Sequence, residues 1–171
     1  MGKIFYGTQT GTTQGVADQI QAALSDVVDV NKNIYGTPVE ELASADWLIL
    51  GGSTWGDGEL TDDWADYLPK LDTISLAGKK VALFALGDQV GYTYNFVTAM
   101  KLLYDKVVER GGEVIATDIT TEGFDFEHSE AVIDGHFIGL VVDEVNEPDL
   151  TPARIQVWAQ KVRAALGLVA V

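Results

Sequence analysis

The chain has 171 residues, about one domain at roughly 150 residues per domain, and 47% of them are apolar, too many for a disordered chain. Eleven Lys and Arg stand against 26 Asp and Glu, a net charge of −15, which argues against nucleic acid and anionic membrane as partners because both need a basic footprint. There is no cysteine, which excludes a disulfide scaffold, a thiolate nucleophile, an iron–sulfur cluster and a Cys-type zinc site.

Short apolar runs alternate along the chain with longer amphipathic segments, the pattern of a parallel sheet wrapped by helices. Lys3–Tyr6 reads as the first strand, and Thr12–Ser25 as a helix with Val16, Ile20, Ala23 and Leu24 on one face. A second strand is expected near Val28–Ile34 and a short helix at Glu40–Ala43. Then comes DWLILGG at Asp46–Gly52, apolar without alternation, as in a strand covered on both faces. A helix at Thr61–Leu68 leads to the equally apolar KVALFAL of Lys80–Leu86, followed by a helix over Tyr94–Arg110 that Gly111-Gly112 should stop. A fifth strand starts near Glu113–Thr117. After it, Asp118–His136 shows no strong period, and a loop of that length is uncommon inside a compact domain. An insertion that interrupts the last strand, with Phe137–Asp143 resuming it, accounts for both runs. Pro152–Leu166, with Pro152 following Thr151, reads as the last helix. Five strands and five helices in this order make an α/β fold with an open, doubly wound, five-stranded parallel sheet, expected as a single domain over 1–171.

No stretch approaches 18 consecutive apolar residues, and MGKIFYGTQTG lacks the apolar run of a signal peptide. A soluble, cytoplasmic, monomeric protein without membrane insertion is therefore expected. His128 and His136, the two histidines, read as ordinary loop residues, and no metal site is expected.

In such sheets ligands bind beyond the carboxyl ends of the strands. Three loops end there: Gly7-Thr8-Gln9-Thr10-Gly11-Thr12-Thr13, Ser53-Thr54-Trp55-Gly56-Asp57-Gly58, and Gly87-Asp88-Gln89-Val90-Gly91-Tyr92 running on to Asn95. The first combines hydroxyls, glycines and a helix start, which suits phosphate. It has no Lys for a GxxxxGK[ST] loop, and Gly7, Gly11 and Gly15 do not make GxGxxG. The other two loops carry Trp55 and Tyr92 (or Tyr94), aromatics that are costly to leave wet and that a flat ring would cover. A planar ring with one terminal phosphate is a mononucleotide, and flavin mononucleotide (FMN) fits best.

The chain resembles a flavodoxin of the long-chain type from Lys3 to about Leu166. The phosphate pattern [ST]-x-T-G-x-T stands at Thr8–Thr13, the aromatic loops read GGSTWGDGEL and GDQVGYTYNF, and TEGFDFEHSEAVIDGHFIGLVVDEVN is similar to the insertion of long-chain members. The resemblance implies a strand order of 2-1-3-4-5 and a non-covalent FMN electron carrier cycling at low potential between semiquinone and hydroquinone. It implies that Thr8, Gln9, Thr10, Gly11, Thr12 and Thr13 hold the phosphate, with Ser53, Thr54, Gly58 and Gly87 in the flanking turns. Trp55 would cover the inner ring face and Tyr92 the outer one, with Tyr94 as the alternative. Asp88 would approach the pyrimidine edge, and Asn95 lies close to the tyrosine loop. In the family a peptide of the second loop turns its carbonyl to flavin N5–H after the first electron. Glycine reaches the positive φ this needs at little cost, so Gly56–Asp57 is the expected switch.

Acids cluster beside these loops. Asp57, Glu59, Asp62, Asp63 and Asp66 come without a base, and Lys and Arg are absent from Asn33 to Pro69. One such charge ~10 Å from an anionic flavin costs roughly 1.7 kcal/mol at an effective dielectric of ~20, about 70 mV on a one-electron couple. The same face should select basic-surfaced redox proteins, such as an NADP reductase or a photosystem and an acceptor enzyme. The acidic insertion has two readings: it shapes partner recognition rather than flavin binding, or it is a tolerated surface elaboration. Two rivals share the scaffold: an FMN-dependent quinone or nitro reductase, whose substrate pocket a covering tyrosine would obstruct, and a phospho-receiver, which needs carboxylates after the first strand where Tyr6-Gly7-Thr8-Gln9 has none.

Overall fold

A computed structural model describes residues 1–8, 10–54 and 58–168 of the chain. Its elements are β1 (Gly2–Gly7), α1 (Thr12–Ala23), β2 (Val28–Asn33), α2 (Val39–Ser44), β3 (Trp47–Ser53), α3 (Asp62–Tyr67), β4 (Lys80–Leu86), α4 (Ala99–Glu109), β5 (Glu113–Ile115), β6 (Val132–Ile133), β7 (His136–Phe137), β8 (Leu140–Val142) and α5 (Thr151–Ala165). The main sheet is parallel in the order β2-β1-β3-β4-β5. β3 and β4, the two continuous apolar runs, pair over seven residues from Trp47 opposite Lys80 to Ser53 opposite Leu86. Helices bury them from both faces, so alternation would have left polar groups dry. β2 is the edge strand, and its polar Asn31, Lys32 and Asn33 fit an exposed margin.

The fifth strand is one strand cut in two. β5 pairs with Lys80–Ala82 and β8 with Phe84–Leu86, both parallel, so a single residue of β4, Leu83, separates the two halves. The chain leaves at Ala116, whose φ of 55° turns it out of the sheet. It returns at Gly139, where a Cβ would lie 2.4 Å from the Leu83 carbonyl oxygen. Only glycine passes that point without displacing β4. The strand resumes at Leu140, three residues later than Phe137. Phe137 instead belongs to a hairpin of β6 and β7, closed by Asp134 and Gly135 at φ 53° and 79°, the two positive values of a type I′ turn. Its ring is fully buried among Phe96, Phe124 and Phe126, which joins the insertion to the main core through Phe96.

α4 begins at Ala99, five residues after the expected Tyr94. The reason lies in competing partners: the Thr93 carbonyl accepts from the Glu127 and His128 amides, the Phe96 amide donates to the His128 carbonyl, and Val97 has a φ of 47°. Backbone groups that a helix would need are thus committed to the insertion. The Gly111-Gly112 stop is present, with amides donating to the Val108 and Val107 carbonyls. α5 starts at Thr151, with Pro152 in the first turn and Leu150 in the capping place. Among the described residues no helix is long and apolar enough to cross a membrane.

Candidate flavin-binding site

Four connections converge at the carboxyl rim of the sheet, after β1, β3, β4 and β8. Between them lies a cleft of about 250 Å³ lined by Thr10, Thr12, Ser53, Thr54, Leu86, Gly87, Asp88, Tyr92, Glu144 and Val145. A larger groove of about 430 Å³ between α1 and α5 is lined by Gln19, Ala22, Ala23, Pro152, Ala153 and Gln156. That groove lies away from the strand ends and presents no ionised group or aromatic, so chemistry rather than size selects the site.

One end of the cleft is built of hydroxyls. Gly11 caps α1 at φ 87°, and among the described residues no side chain caps that helix, so its first amides are available to an outside acceptor. The Thr10 and Thr12 hydroxyls stand 3.2 Å apart. Thr8 Oγ1 accepts from the Gly11 amide at 2.9 Å, and the Thr8 amide donates to Asp63 Oδ2 at 3.2 Å. Thr13 is buried, its hydroxyl 2.9 Å from that of Ser53. Thr8 and Thr13 therefore brace the loop from behind, while Thr10, Thr12, Ser53 and Thr54 face the cleft. The Thr54 hydroxyl also accepts from the Ala99 amide at 3.3 Å, which ties this wall to the start of α4.

The other end is apolar and aromatic: Leu86, Gly87, Val145 and the ring of Tyr92. Tyr92 is 46% exposed and lines the cleft, whereas Tyr94 is 68% exposed and lies outside the lining. Asp88 lines the cleft too, yet its Oδ1 accepts from the Gly91 and Val90 amides and from Asn146 Nδ2 at 2.8–3.0 Å. These bonds, the Gly91 amide foremost, hold its carboxyl below the usual range against the opposing effect of burial. Asn95 sits behind the lining, its amide donating to the Tyr92 carbonyl. Gly58, at φ 93°, lies against Thr98 and Asn95.

Two glycines have a different role from the one their loops suggest. A Cβ on Gly7 would lie 2.5 Å from Trp64 Cδ1 and 2.6 Å from Thr61 Oγ1; one on Gly87 would lie 2.7 Å from Val97 Cγ1. Both make room for the protein's own core. Trp64 occupies the space under Gly7, donating its Nε1–H to the Gly51 carbonyl at 2.8 Å, and so anchors α3 beneath the first loop. The acidic run divides between the first loop and a neighbouring groove. Asp63 is turned to Thr8 and Asn33, and Asp66 lines a groove with Tyr35, Gly36 and Lys70. Among the described residues, Asp88 and Glu144 are the carboxylates of the cleft. Gln9, Trp55, Gly56 and Asp57 lie outside the described residues. Leu86, Glu144 and Val145 escaped the sequence reading, although the resumed strand ending near Asp143 pointed to the following loop as a fourth wall.

The chain matches the flavodoxin family over residues 4–158. It belongs to that family. It is 42% identical over 167 residues to the flavodoxin of Synechococcus elongatus, covering 96% of this chain and 97% of that one. Against the flavodoxin of Klebsiella pneumoniae it is 38% identical over 168 residues, covering 94% and 95%. The crystal structure of Fusobacterium nucleatum flavodoxin bound to flavin mononucleotide superposes with a TM-score of 0.89 at 36% identity, over 96% of this chain and 97% of that one. The length and the insertion between β5 and β8 place the chain with the long-chain flavodoxins. Its cleft suits FMN on its own chemistry: hydroxyls and free helix amides at one end for an anionic phosphate, apolar and aromatic walls at the other for a flat ring.

Proposed function

We propose that the cleft holds FMN with its phosphate at Thr10, Thr12, Ser53 and Thr54 and its ring beside Tyr92, Leu86 and Val145. This flavodoxin is a one-electron carrier, and bound FMN supplies reversible one-electron chemistry. The chain's own part is to bind, orient and shield. The observation that carries the reading is the pairing of a cation-free hydroxyl pocket at the start of α1 with an aromatic wall on another strand end of the same rim. Amide dipoles and hydroxyls meet the phosphate charge without neutralising it. Asp88 and Glu144 add negative potential beside the ring end, where extra charge on the flavin is thereby disfavoured.

From the sequence, Gln9 completes the phosphate loop, Trp55 covers the inner face and Gly56–Asp57 is the switching peptide. Tyr92 rather than Tyr94 is assigned the outer face, on its place in the lining. The whole chain, 1–171, acts as one FMN-binding domain, a monomer in the cytoplasm, exchanging electrons with basic-surfaced partners such as an NADP reductase or a photosystem and an acceptor enzyme. Titrating the flavin-free protein into FMN tests the core of this: flavin fluorescence should be quenched at a one-to-one ratio. Undiminished fluorescence with protein in excess would overturn it.

A further inference from the structure

Asp143 is the first residue after β8. Its side chain is completely buried, and among the described residues no Lys, Arg or His forms an ion pair with it. Five N–H donors converge on it instead. Oδ1 accepts from the Val145 and Asn146 amides at 3.1 and 2.9 Å. Oδ2 accepts from the Gln89 amide at 3.2 Å, Gln89 Nε2 at 2.9 Å and Asn146 Nδ2 at 2.9 Å. The Oδ1 bonds are those of an ordinary turn, which Asn or Ser could close. Of the Oδ2 bonds, the two from Gln89 reach a different loop, and it is for these that a second accepting oxygen is needed. An amide there would set its NH2 against donors.

We infer that Asp143 is a positioning residue that locks the two loops of the cleft's ring end, 87–92 and 143–147, at a fixed separation. The first loop supplies Gly87, Asp88 and Tyr92 to the cleft and the second supplies Glu144 and Val145. Asn146 closes a second strap, its Nδ2 donating to Asp143 and to Asp88 Oδ1 at 2.8 Å. Gln89 extends the lock to the insertion, for its Oε1 accepts from the Asp125 amide at 2.7 Å. On the far side Glu147 accepts from Arg154 at 3.1 Å, and that guanidinium lies 3.8 Å from the Phe124 ring centroid. The insertion thus bears on the ring wall of the cleft as well as on the surface. Among the described residues, the hydroxyl end, built on α1 and β3, has no hydrogen bond to this network.

The inference rests on the proposed flavin site and makes a statement about ligands that FMN alone does not test. Riboflavin has the ring without the phosphate. In Asp143→Asn, fluorescence titration should show FMN and riboflavin both weakened by about tenfold, with their affinity ratio unchanged. The exposed Asn146 offers a milder variant, and Asn146→Ala should shift both ligands in the same direction by a smaller factor while far-UV circular dichroism stays native. A variant that melts at lower temperature yet binds riboflavin within twofold of the parent overturns the inference, since Asp143 would then serve folding alone. A loss confined to FMN overturns it as well. If the unsubstituted protein quenches neither ligand, the flavin site itself fails, and that result is read before any variant is made.

Discussion

Thr10 and Thr12 put two hydroxyls 3.2 Å apart, within hydrogen-bond reach of each other, at the start of α1, and both line the cleft. Thr12→Val keeps the shape and removes the hydroxyl. Losing one hydrogen bond to a charged phosphate oxygen should raise the FMN dissociation constant about tenfold, ~1.4 kcal/mol. Riboflavin binding should not change, and equal losses for both ligands would show that the hydroxyl supports the loop instead. Asp88 acts through ionisation. Its carboxyl is held below the ordinary value of 3.8, chiefly by the Gly91 amide. A group depressed in the folded state stabilises fully above its unfolded value, and that stabilisation is lost as pH falls through the folded one. Asp88→Ala should therefore cost about 1 kcal/mol at neutral pH, and the difference from the parent should shrink steadily in denaturation curves taken below pH 3.8. A gap that stayed constant down to strongly acid pH would assign the loss to packing. Tyr67 lies at the opposite extreme. Burial pushes its phenol up to about 12, and its hydroxyl donates to the Thr37 carbonyl at 2.7 Å, so it stays neutral throughout the range in which the protein operates.

Among the elements, the central strands and the amphipathic helices were legible because burial on both faces or on one stripe leaves a period in the sequence. The split of the fifth strand was legible as well, since two apolar runs competed for one place in the sheet. The late start of α4 was not: a helical pattern over Tyr94–Thr98 loses to hydrogen bonds from residues more than thirty positions away, which no local period records. The β6–β7 hairpin was missed for another reason. Asp134-Gly135 is a strong turn signal, but strands of two residues are too short to alternate visibly. At the site, the first and third loops were placed from their residue types, and the fourth wall was not, because Glu144 and Val145 resemble any surface loop. Phe137 tests whether the insertion is an integral part of the fold. Its ring is fully buried against three other phenylalanines, and Phe137→Ala should cost about 3–5 kcal/mol. One of those rings, Phe96, belongs to the segment that leads into α4, so the loss should appear in the global urea midpoint. Hydrogen exchange confined to 117–138 with an unmoved midpoint would mean that the insertion melts by itself.

At the scale of the whole molecule the governing quantity is the charge of −15. Six of the eleven Lys and Arg side chains, Lys32, Lys101, Lys106, Arg154, Lys161 and Arg163, already sit in ion pairs. Lys79, Lys80 and Arg110 donate to backbone carbonyls. The excess of carboxylates is thus not met inside the molecule, and it acts in two directions. It repels itself, which disfavours the compact state, and it would attract a basic surface over a Debye length that shrinks from about 30 Å at 0.01 M salt to about 10 Å at 0.1 M. The two effects respond oppositely to one variable. Raising the ionic strength over that range should raise the melting temperature of the flavin-free protein by screening its self-repulsion. The same change should slow electron transfer to a basic redox protein, through the association rate more than the affinity. Stopped-flow mixing and a thermal scan in the same buffers measure both. A melting temperature that rises while the transfer rate stays flat would keep the self-repulsion and remove the acidic face from partner selection. The apolar rim of Val90, Tyr92 and Val145, exposed beside the cleft, would then be left as the surface that orients the encounter.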